Sequence, residues 1–579
     1  MDRNLVLAFA LSFLVLSLWT LWTGDGRGPH APPGVPASGT ERTAPAGEAG
    51  EARGPEKQPG YPALPNAPEG APPNAAPVPP AAVEVAGTPP ARRIEVSRPL
   101  YQARLTSRGA GLEDWELTEY TDHRGARVLL IPEDAGIPPL ATTPFAELGQ
   151  GDLSRVNWRV ERADPGDVVF ATDTSGISLR KSYTFGDGYD FRLRVEVVNG
   201  SQAKIAPRFL LDWPAEARAE QEFHEQSIAA LHDGKVQMQP IAGLGRTGFL
   251  GALFGRSPIH DYPVMGGEID WVGFQTTYFL AAVFPDSPTQ ARARFVVIEP
   301  GRSGTAQLFF DPVELAPGQS VSREFRAYLG PKESDRLEAL GGGAEASIDR
   351  GWRWVTPLTR LFAWLLQALY SLIPNYGVAI ILLTILVRAV TAPLTVRQMR
   401  SMERLRRVQP KMKEIQEKYA DDRQRQSEEL MKLYKQEKVN PLGGCFPMLL
   451  QLPVFIGLFY ALRSSMHLRH APFFGWINDL SAPDLLFNIP GLGVPVRVLP
   501  LIMGATMFVQ QKITPMQTPD PAQARMMLVV MPVMMTVLFY QFPSGLVLYW
   551  MLSNVLAIGN QLWIGRNMPR LGADQAAKR

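Results

Sequence analysis

The sequence is poor in residues that build disulfides, metal sites or phosphate loops. It has one cysteine, Cys445, among 579 residues, which excludes an internal disulfide and a cysteine-based metal cluster. Its seven histidines are scattered and lack the spacing typical of metal ligands. Neither a Gly-x-x-x-x-Gly-Lys loop nor a strand-flanked Gly-x-Gly-x-x-Gly motif is found. We therefore predict no metal, no cofactor and no nucleotide-driven motor.

Acidic residues are missing from the apolar runs of the last third of the chain. One of these runs, Gly377–Leu394, nevertheless contains an arginine, Arg388. A guanidinium keeps its proton, and placing it near a bilayer centre costs roughly 2.5–3.5 kcal/mol on insertion scales. Such a residue needs water, a partner or a polar cavity. Arg388 is therefore the predicted centre of the functional site.

The N-terminal 93 residues contain an apolar run and a proline-rich segment. Residues 1–23 are long enough to span a membrane and end in Trp19 and Trp22, which suits an interface. A cleaved signal peptide is the alternative, but the small-x-small cleavage pattern is missing. Residues 24–93 contain 17 prolines and predict a disordered spacer. We expect a retained anchor with a cytoplasmic N-terminus, followed by a tether.

Residues 94–340 show the period-two pattern of β-strands. Apolar residues alternate with charged ones along Phe191–Val197, and the turn at 185–189 joins this run to Ile177–Tyr183. This pattern predicts one large β-sandwich folded outside the cytoplasm. Four histidines are conceivable catalytic groups of a sugar-active sandwich, although satisfied or exposed histidines are the favoured interpretation. They are His123, His224, His232 and His260.

Residues 352–373, within the predicted linker 341–373, have an amphipathic pattern. Thr359, Arg360 and Gln367 are predicted to face away from the apolar stripe. Only Pro374-Asn375 separates this helix from the next apolar run, which is too short a connection for two antiparallel spans. We therefore place it in the membrane plane on the outer surface rather than across the membrane. The predicted apolar stripe consists of Leu358, Leu361, Phe362, Leu365, Leu366 and Leu369.

A charged helical hairpin is predicted at residues 397–440. This segment has 13 Lys and Arg against 8 Asp and Glu, and the positive excess places it in the cytoplasm. Asp421-Asp422 can cap a second helix that runs to about Lys438. The hairpin is either a solvated structural element or a docking site for a partner or a nascent chain. Its predicted seam consists of Leu405, Val408, Met412, Ile415 and Tyr419.

Four further apolar runs complete a predicted membrane domain at residues 374–565, followed by a basic cytoplasmic tail at 566–579. With the anchor and the Arg388 run they give six spans with both termini in the cytoplasm. Several spans have only 16 or 17 residues, or ~25 Å of helix, which favours local thinning of the bilayer. They are also rich in methionine, either as an adaptable surface or as filler. The four runs are Phe446–Leu462, Val498–Ile513, Met526–Phe542 and Leu546–Ile564.

Few polar residues lie inside these runs. Thr384 is one helical turn before Arg388, so both are predicted on the same face. Pro393 is expected to kink that helix. We favour a wet groove open to the cytoplasm; the alternative is an Arg388 paired with carbonyls between packed helices. The other polar residues are Gln451, Gln510, Thr536, Tyr549, Ser553 and Asn554.

Three stretches resemble signatures of the YidC membrane-protein insertases. They are Asn440–Phe455, Phe542–Tyr549, and the Arg388 run with Pro393-Leu394-Thr395. Two more, Trp271–Phe279 and Tyr328–Lys332, look like the periplasmic domain of the Gram-negative members. The resemblance covers the whole chain. It implies a multidomain membrane protein of the bacterial inner membrane, with a six-span helical bundle and a periplasmic all-β supersandwich akin to galactose mutarotase.

The resemblance also implies a function and a site. The family inserts and folds nascent inner-membrane proteins, alone or beside the Sec translocon, and the implied partners extend to the ribosome, the signal recognition particle pathway and lipids. It is not an enzyme. Its groove arginine and glutamine match Arg388 and Gln451, and its client contacts match Thr384 and Trp550. The family commonly has Tyr-Tyr where this chain has Tyr549-Trp550, which favours packing over a polar role at Trp550.

Two other functions remain as alternatives. A solute transporter or channel with a periplasmic binding domain would require inverted repeats and coupling carboxylates, and the sequence shows neither. A membrane-tethered carbohydrate enzyme would reduce the last 200 residues to an anchor, for which six spans are excessive. The insertase is therefore the preferred function.

Overall fold

The structure is a computed structural model that describes most of residues 89–576. The gaps are 123, 132–137, 142–152, 175, 219–224, 247–260, 420–421, 438–445, 491–493 and 514–525. The predicted anchor at 1–23 and nearly all of the spacer at 24–93 lie outside the described residues. Several helical segments are described by their backbone only, among them 446–451.

Sixteen described strands build the N-terminal part. Strands β1–β4 form one sheet in sequence order, nine strands form the order β11-β10-β12-β13-β16-β8-β7-β6-β5, and three form β14-β15-β9. The strands are β1 (Arg93–Ser97), β2 (Tyr101–Thr106), β3 (Gly111–Thr121), β4 (Arg127–Leu129), β5 (Arg159–Ala163), β6 (Asp167–Thr174), β7 (Ile177–Phe185), β8 (Asp190–Asn199), β9 (Leu210–Glu216), β10 (Ser227–His232), β11 (Lys235–Pro240), β12 (Ile269–Gln275), β13 (Phe279–Pro285), β14 (Ala291–Glu299), β15 (Ser303–Phe310) and β16 (Ser320–Pro331).

The predicted hairpin around residues 185–189 is confirmed. β7 pairs antiparallel with β8 from Ile177 opposite Asn199 to Phe185 opposite Phe191. Alternate side chains of β8 are buried, as the period-two pattern requires. They join a core in which the rings of Tyr101 and Trp115 stack at 3.9 Å between centroids. The N-terminal part is therefore the large all-β sandwich that the alternation predicts.

Only one of the four candidate histidines is described. The Nε2 atom of His232 lies 2.5 Å from the carbonyl oxygen of Gly266 and 3.2 Å from Asp233 Oδ2. These contacts favour the interpretation of His232 as a satisfied histidine. His123, His224 and His260 lie outside the described residues.

Eight described α-helices follow or connect the strands. They are α1 (Ser334–Leu340), α2 (Thr356–Leu372), α3 (Tyr376–Lys418), α4 (Arg423–Gln436), α5 (Phe446–Arg463), α6 (Val498–Ile513), α7 (Met531–Phe539) and α8 (Ser544–Ala576). A π-helical turn at Met526–Val530 precedes α7, and a two-stranded ladder of β17 (Phe487–Asn488) and β18 (Pro495–Val496) precedes α6.

The Arg388 run and the first arm of the charged hairpin form one helix. α3 has 43 residues and continues through Pro393 and Pro410. It begins at Asn375, whose side chain accepts a hydrogen bond from the Val378 N–H at 3.0 Å. The onset of charged residues predicts a boundary at residue 397, which the structure does not show. A proline removes one backbone hydrogen bond, and the flanking helix formers continue the helix on either side.

The charged hairpin packs through part of its predicted seam. Val408 and Met412 on α3 and Leu433 on α4 are buried together, with Ile415 at the edge of this cluster. The side chain of Leu405 lies outside the described residues, and Tyr419 ends α3 outside the cluster. Asp422 caps α4 by accepting from the Arg425 N–H at 3.0 Å, as predicted. The helix ends at Gln436, close to the expected Lys438.

The amphipathic helix α2 buries most of the predicted apolar stripe and, beside it, Thr359. Its buried side chains are Thr359, Phe362 and Leu366, whereas Leu361 is half-exposed. Thr359 was expected to face away from the apolar stripe, and this expectation is wrong. Its hydroxyl donates to the Arg350 carbonyl oxygen at 3.1 Å, so burial leaves no polar group unpaired. Arg360 and Gln367 are exposed, as predicted.

The helices of the last third differ in length. Tyr376–Val396 is the one described segment long and apolar enough to cross a membrane, with 21 residues. Leu452–Arg463, Val498–Ile513 and Leu528–Phe539 are shorter apolar helices. The predicted apolar runs are helical where they are described, except that the run Met526–Phe542 leaves the helix after Phe539, and the number of spans stays a prediction.

A short loop after α5 contacts the sandwich. Met466 is buried with the sandwich core. The Arg469 guanidinium donates to the Thr121 carbonyl oxygen and lies 5.4 Å from the centroid of the Phe279 ring. Arg463, at the end of α5, forms an ion pair with Glu225 of the sandwich. We call this loop, residues 464–470, the docking loop.

Candidate functional site

Arg388 lies on α3 with a partly buried side chain. Among the residues that the structure describes, no carboxylate forms an ion pair with it, and its Nε atom has no hydrogen-bond partner. The Tyr549 hydroxyl, on α8, is near enough to interact electrostatically with the guanidinium. Arg388 therefore lies among the helices of the last third with no counter-ion in the described part of the chain.

Thr384 lies one turn before Arg388, as the helical spacing requires. Its side chain is fully buried, and its hydroxyl donates to the Ile380 carbonyl oxygen at 2.6 Å. The hydroxyl proton is thus used within the helix. In this arrangement Thr384 has no surface that a client segment reaches, and its predicted client contact remains untested.

Tyr549 and Trp550 occupy consecutive positions on α8 in different surroundings. Tyr549 is buried among the apolar side chains of the helical core. The Trp550 ring meets the Phe455 ring edge-on at 4.7 Å between centroids and lies 4.9 Å from the Phe539 ring. Trp550 thus joins α5, α7 and α8 through an aromatic cluster, which fits the packing role expected of an indole at this position.

Gln451 is placed by its backbone alone. It belongs to the first half of α5, one helical turn before Phe455, and its side chain lies outside the described residues. The backbone therefore puts Gln451 on the helix that also supplies Phe455 to the aromatic cluster.

The Phe542-Pro-Ser-Gly stretch docks the start of α8. The Ser544 N–H donates to the Ala482 carbonyl oxygen at 2.8 Å, and its hydroxyl donates to the Asp479 carbonyl oxygen at 2.7 Å. The Gly545 N–H donates to the Leu480 carbonyl oxygen, and a Cβ added at position 545 would lie 3.0 Å from that oxygen. A glycine therefore lets α8 approach this carbonyl oxygen closely, and a larger residue would have to displace it.

Asp484 is a second group that the sequence analysis missed. Its Oδ2 accepts from the Val498 and Leu499 N–H groups, both at 2.9 Å, and from Trp476 Nε1 at 3.0 Å. It caps α6 from 14 residues away, so the local N-cap signature cannot reveal it. In the described part of the chain no three His, Cys, Asp or Glu side chains come together as metal ligands.

Family comparisons cover nearly all of the described chain. Residues 93–365 match the family described as "YidC periplasmic domain", and residues 368–571 match the family described as "60Kd inner membrane protein". The sandwich is also similar to a galactose mutarotase-like protein from Lactobacillus casei, at 12% identity and a TM-score of 0.30, over 41% of this chain and all of that one. A likeness this weak carries no argument about activity.

Two curated relatives match along most of their length. A membrane protein insertase YidC from Geobacter sp. is 36% identical over 493 residues, 83% of this chain and 86% of the relative. The same protein of Syntrophus aciditrophicus is 33% identical over 582 residues, 98% of this chain and all of the relative. These matches favour the insertase over the transporter and the carbohydrate enzyme. The chain belongs to the YidC family of membrane protein insertases.

Proposed function

We propose that this chain inserts nascent inner-membrane proteins at a polar site built around Arg388. In this proposal six helices cross the inner membrane, both termini are cytoplasmic and the sandwich is periplasmic. Nascent membrane proteins are the clients, with the Sec translocon and the ribosome as further partners. The observation that carries the proposal is a guanidinium without a described carboxylate partner, on the one described segment that is long and apolar enough to cross a membrane.

Electrostatics supports a role for this charge in binding. A positive charge in a low-dielectric setting attracts an acidic group more strongly than it would in water. Since no described carboxylate neutralises Arg388, its charge is available to an acidic residue that flanks a client segment. The membrane potential adds ~2.3 kcal/mol per 100 mV for each negative charge that moves outward.

The packing around the site implies an opening step. Thr384 and Tyr549 are buried, and Trp550 holds α5 and α7 through the Phe455 and Phe539 rings. A client segment therefore reaches Thr384 only when α3 or α8 moves away from this aromatic cluster. The client then leaves for lipid, driven by burial of its apolar surface at ~25 cal/mol per Å².

The charged hairpin is proposed as the first contact of the client. Among its described side chains, the two arms share a small core of Val408, Met412 and Leu433. The remainder carries an excess of positive charge and is largely exposed where it is described. Such a surface suits a ribosome or an emerging chain. We expect no covalent step and no ATP site.

Photo-crosslinking tests the proposed route. A crosslinking amino acid is placed at Thr384, Gln451 or Trp550 during synthesis of a short membrane protein. The matched controls are Val390 and Val537, which are 72% and 70% exposed on α3 and α7. We expect the site positions to capture the client several times more often than the controls, because the client passes between α3, α5 and α8.

Equal capture at all five positions would contradict a defined route. Capture at Gln451 and Trp550 without Thr384 would show that the helices do not separate as proposed.

A further inference from the structure

A short hairpin between α5 and α6 is exposed, and its described residues are mostly apolar and uncharged. We call the described residues Leu485–Pro490 and Val494–Val496 the apolar hairpin. Leu485, Leu486 and Phe487 are each about half exposed, and so are Ile489 and Val494. The described residues contain no charged side chain. This is a contiguous apolar surface of the kind that marks an interaction site.

The base of the apolar hairpin is rigidly held. The Leu486 N–H donates to the Val496 carbonyl oxygen at 3.0 Å, and the Ile489 N–H donates to Val494 at 2.9 Å. Immediately before the hairpin, Asp484 caps α6. The exposed apolar residues are therefore presented by an ordered element.

The hairpin is fixed at the ends of three helices. Arg497 immediately follows the hairpin, and its guanidinium donates to the Tyr540 carbonyl oxygen. The Tyr540 hydroxyl in turn donates to the Pro495 carbonyl oxygen. Tyr540 ends α7, Val498 begins α6, and the start of α8 docks on the segment just before the hairpin. The apolar hairpin thus lies at the level where the helices of the last third begin and end.

The apolar surface continues onto α6. Leu501 and Ile502, in the first turn and a half of this helix, are also exposed. Both belong to the segment that matches the inner membrane protein family. An uncharged apolar surface that sits at the helix ends, next to exposed apolar helix residues, suits the boundary between headgroups and acyl chains of one leaflet.

We propose that the apolar hairpin inserts into the bilayer surface and contacts lipid directly; its assignment to the outer leaflet rests on the orientation given in the proposed function. The occupant is lipid rather than a protein because the described residues of the hairpin carry no charge and a single polar side chain, Asn488, whereas a protein interface is surrounded by a polar rim. This inference concerns lipid contact and does not require a client. Its failure is therefore distinguishable from a failure of the proposed insertion route.

Depth-dependent quenching tests the proposal in proteoliposomes of the full chain. Cys445 is replaced by Ser, and a single cysteine with an environment-sensitive fluorophore is introduced by Phe487→Cys. Val494→Cys provides a second probe on the other strand. The matched control is Ile298→Cys, which is 56% exposed, close to the 51% of Phe487, and is followed by the Glu299–Arg302 ion pair of the sandwich.

We expect blue-shifted emission at both hairpin positions, with stronger quenching by lipids that carry a nitroxide near the headgroup than by lipids labelled near the acyl end. The Ile298→Cys probe should show aqueous emission and little quenching. Aqueous emission from both hairpin probes would overturn the proposal. Apolar emission without quenching by any labelled lipid would also overturn it and would indicate a protein occupant.

Discussion

At the scale of single residues, Arg388 combines a fixed charge with an incomplete set of partners. Its Nε atom has no described partner, although a buried donor without a hydrogen bond costs about 1–3 kcal/mol. Under the proposed function, a polar client group or water that completes the guanidinium offsets this cost.

We predict that Arg388→Ala lowers insertion about tenfold, or ~1.4 kcal/mol, for clients with acidic translocated tails. The loss should be small for clients with neutral tails, because the attraction requires an acidic partner. Arg388→Lys should restore part of the activity, and Val390→Ala on the exposed face should change little. Insertion assays with paired acidic and neutral tails measure this, and a loss independent of tail charge would contradict it.

Lys332, in the sandwich, is a second residue whose ionisation is altered by its surroundings. Its Nζ atom donates to Gln275 Oε1 and to the Ser347 carbonyl oxygen, both at 2.9 Å. Burial lowers the pKa of Lys332 to about 7, and the nearby Asp349 carboxylate opposes this shift. A neutral amine has two N–H groups, which match the two acceptors.

We predict that stability rises with pH between about 7 and 10 through Lys332. The unfolded chain keeps this lysine protonated up to a pKa of about 10.4, so it binds more protons than the folded chain in this window. The gain approaches ~1.4 kcal/mol per pH unit and ceases below pH 7, where both states are protonated. Thermal unfolding of the parent chain, measured against Lys332→Met, checks the slope.

Lys235→Met, on the exposed edge strand β11, serves as the control for Lys332→Met. A stability difference between the parent chain and Lys332→Met that stays constant from pH 7 to pH 9 would show that the lysine remains charged in the folded state.

At the scale of elements, α6 and α7 approach each other at a glycine. A Cβ at Gly504 would lie 2.0 Å from Thr536 Oγ1. Small residues at such crossings allow close helix packing in membranes. The Thr536 hydroxyl donates to Pro532 within its own helix at 2.8 Å, so it needs no partner across the interface.

We predict that Gly504→Ala destabilises the helical part by about 1–3 kcal/mol through overpacking. Combining it with Thr536→Ala should recover part of the loss, because the conflicting hydroxyl is removed. Ala505→Val on the exposed neighbouring position should have a small effect. Thermal unfolding in detergent measures these four chains and Thr536→Ala alone, and strictly additive losses would show that the two side chains do not conflict.

At the scale of the whole molecule, the docking loop joins the sandwich to the helices. Met466 is buried in the sandwich core, and the chain connection at Gly351 packs against the Tyr460 ring of α5. α5 also supplies Phe455 to the aromatic cluster around Trp550. The sandwich is thus attached to a helix of the proposed insertion site.

We predict that Met466→Ala weakens this attachment, because truncating a buried methionine costs about 2–5 kcal/mol. Limited proteolysis within residues 341–355 should become several-fold faster as the sandwich and helices separate. Ile298→Ala, on the exposed sandwich surface, should leave the cleavage rate unchanged. Equal cleavage rates in all three chains would show that the attachment does not depend on Met466.

The sequence by itself determined the element types and the placement of the charge. Period-two alternation fixes the β7–β8 hairpin, because one face of each strand must be buried. Arg388 stands out because it lies in a long apolar run. The motifs around Pro543 and residue 446 were enough to identify the family. These are local or compositional signals that do not depend on distant contacts.

Only the tertiary structure decided which surfaces meet. Thr359 can be buried because its hydroxyl donates to the Arg350 carbonyl oxygen. Asp484 caps a helix that begins 14 residues later in the chain. Thr384 is buried because neighbouring helices cover it. Such contacts join positions far apart in the chain, and periodicity carries no information about which faces of two elements come together.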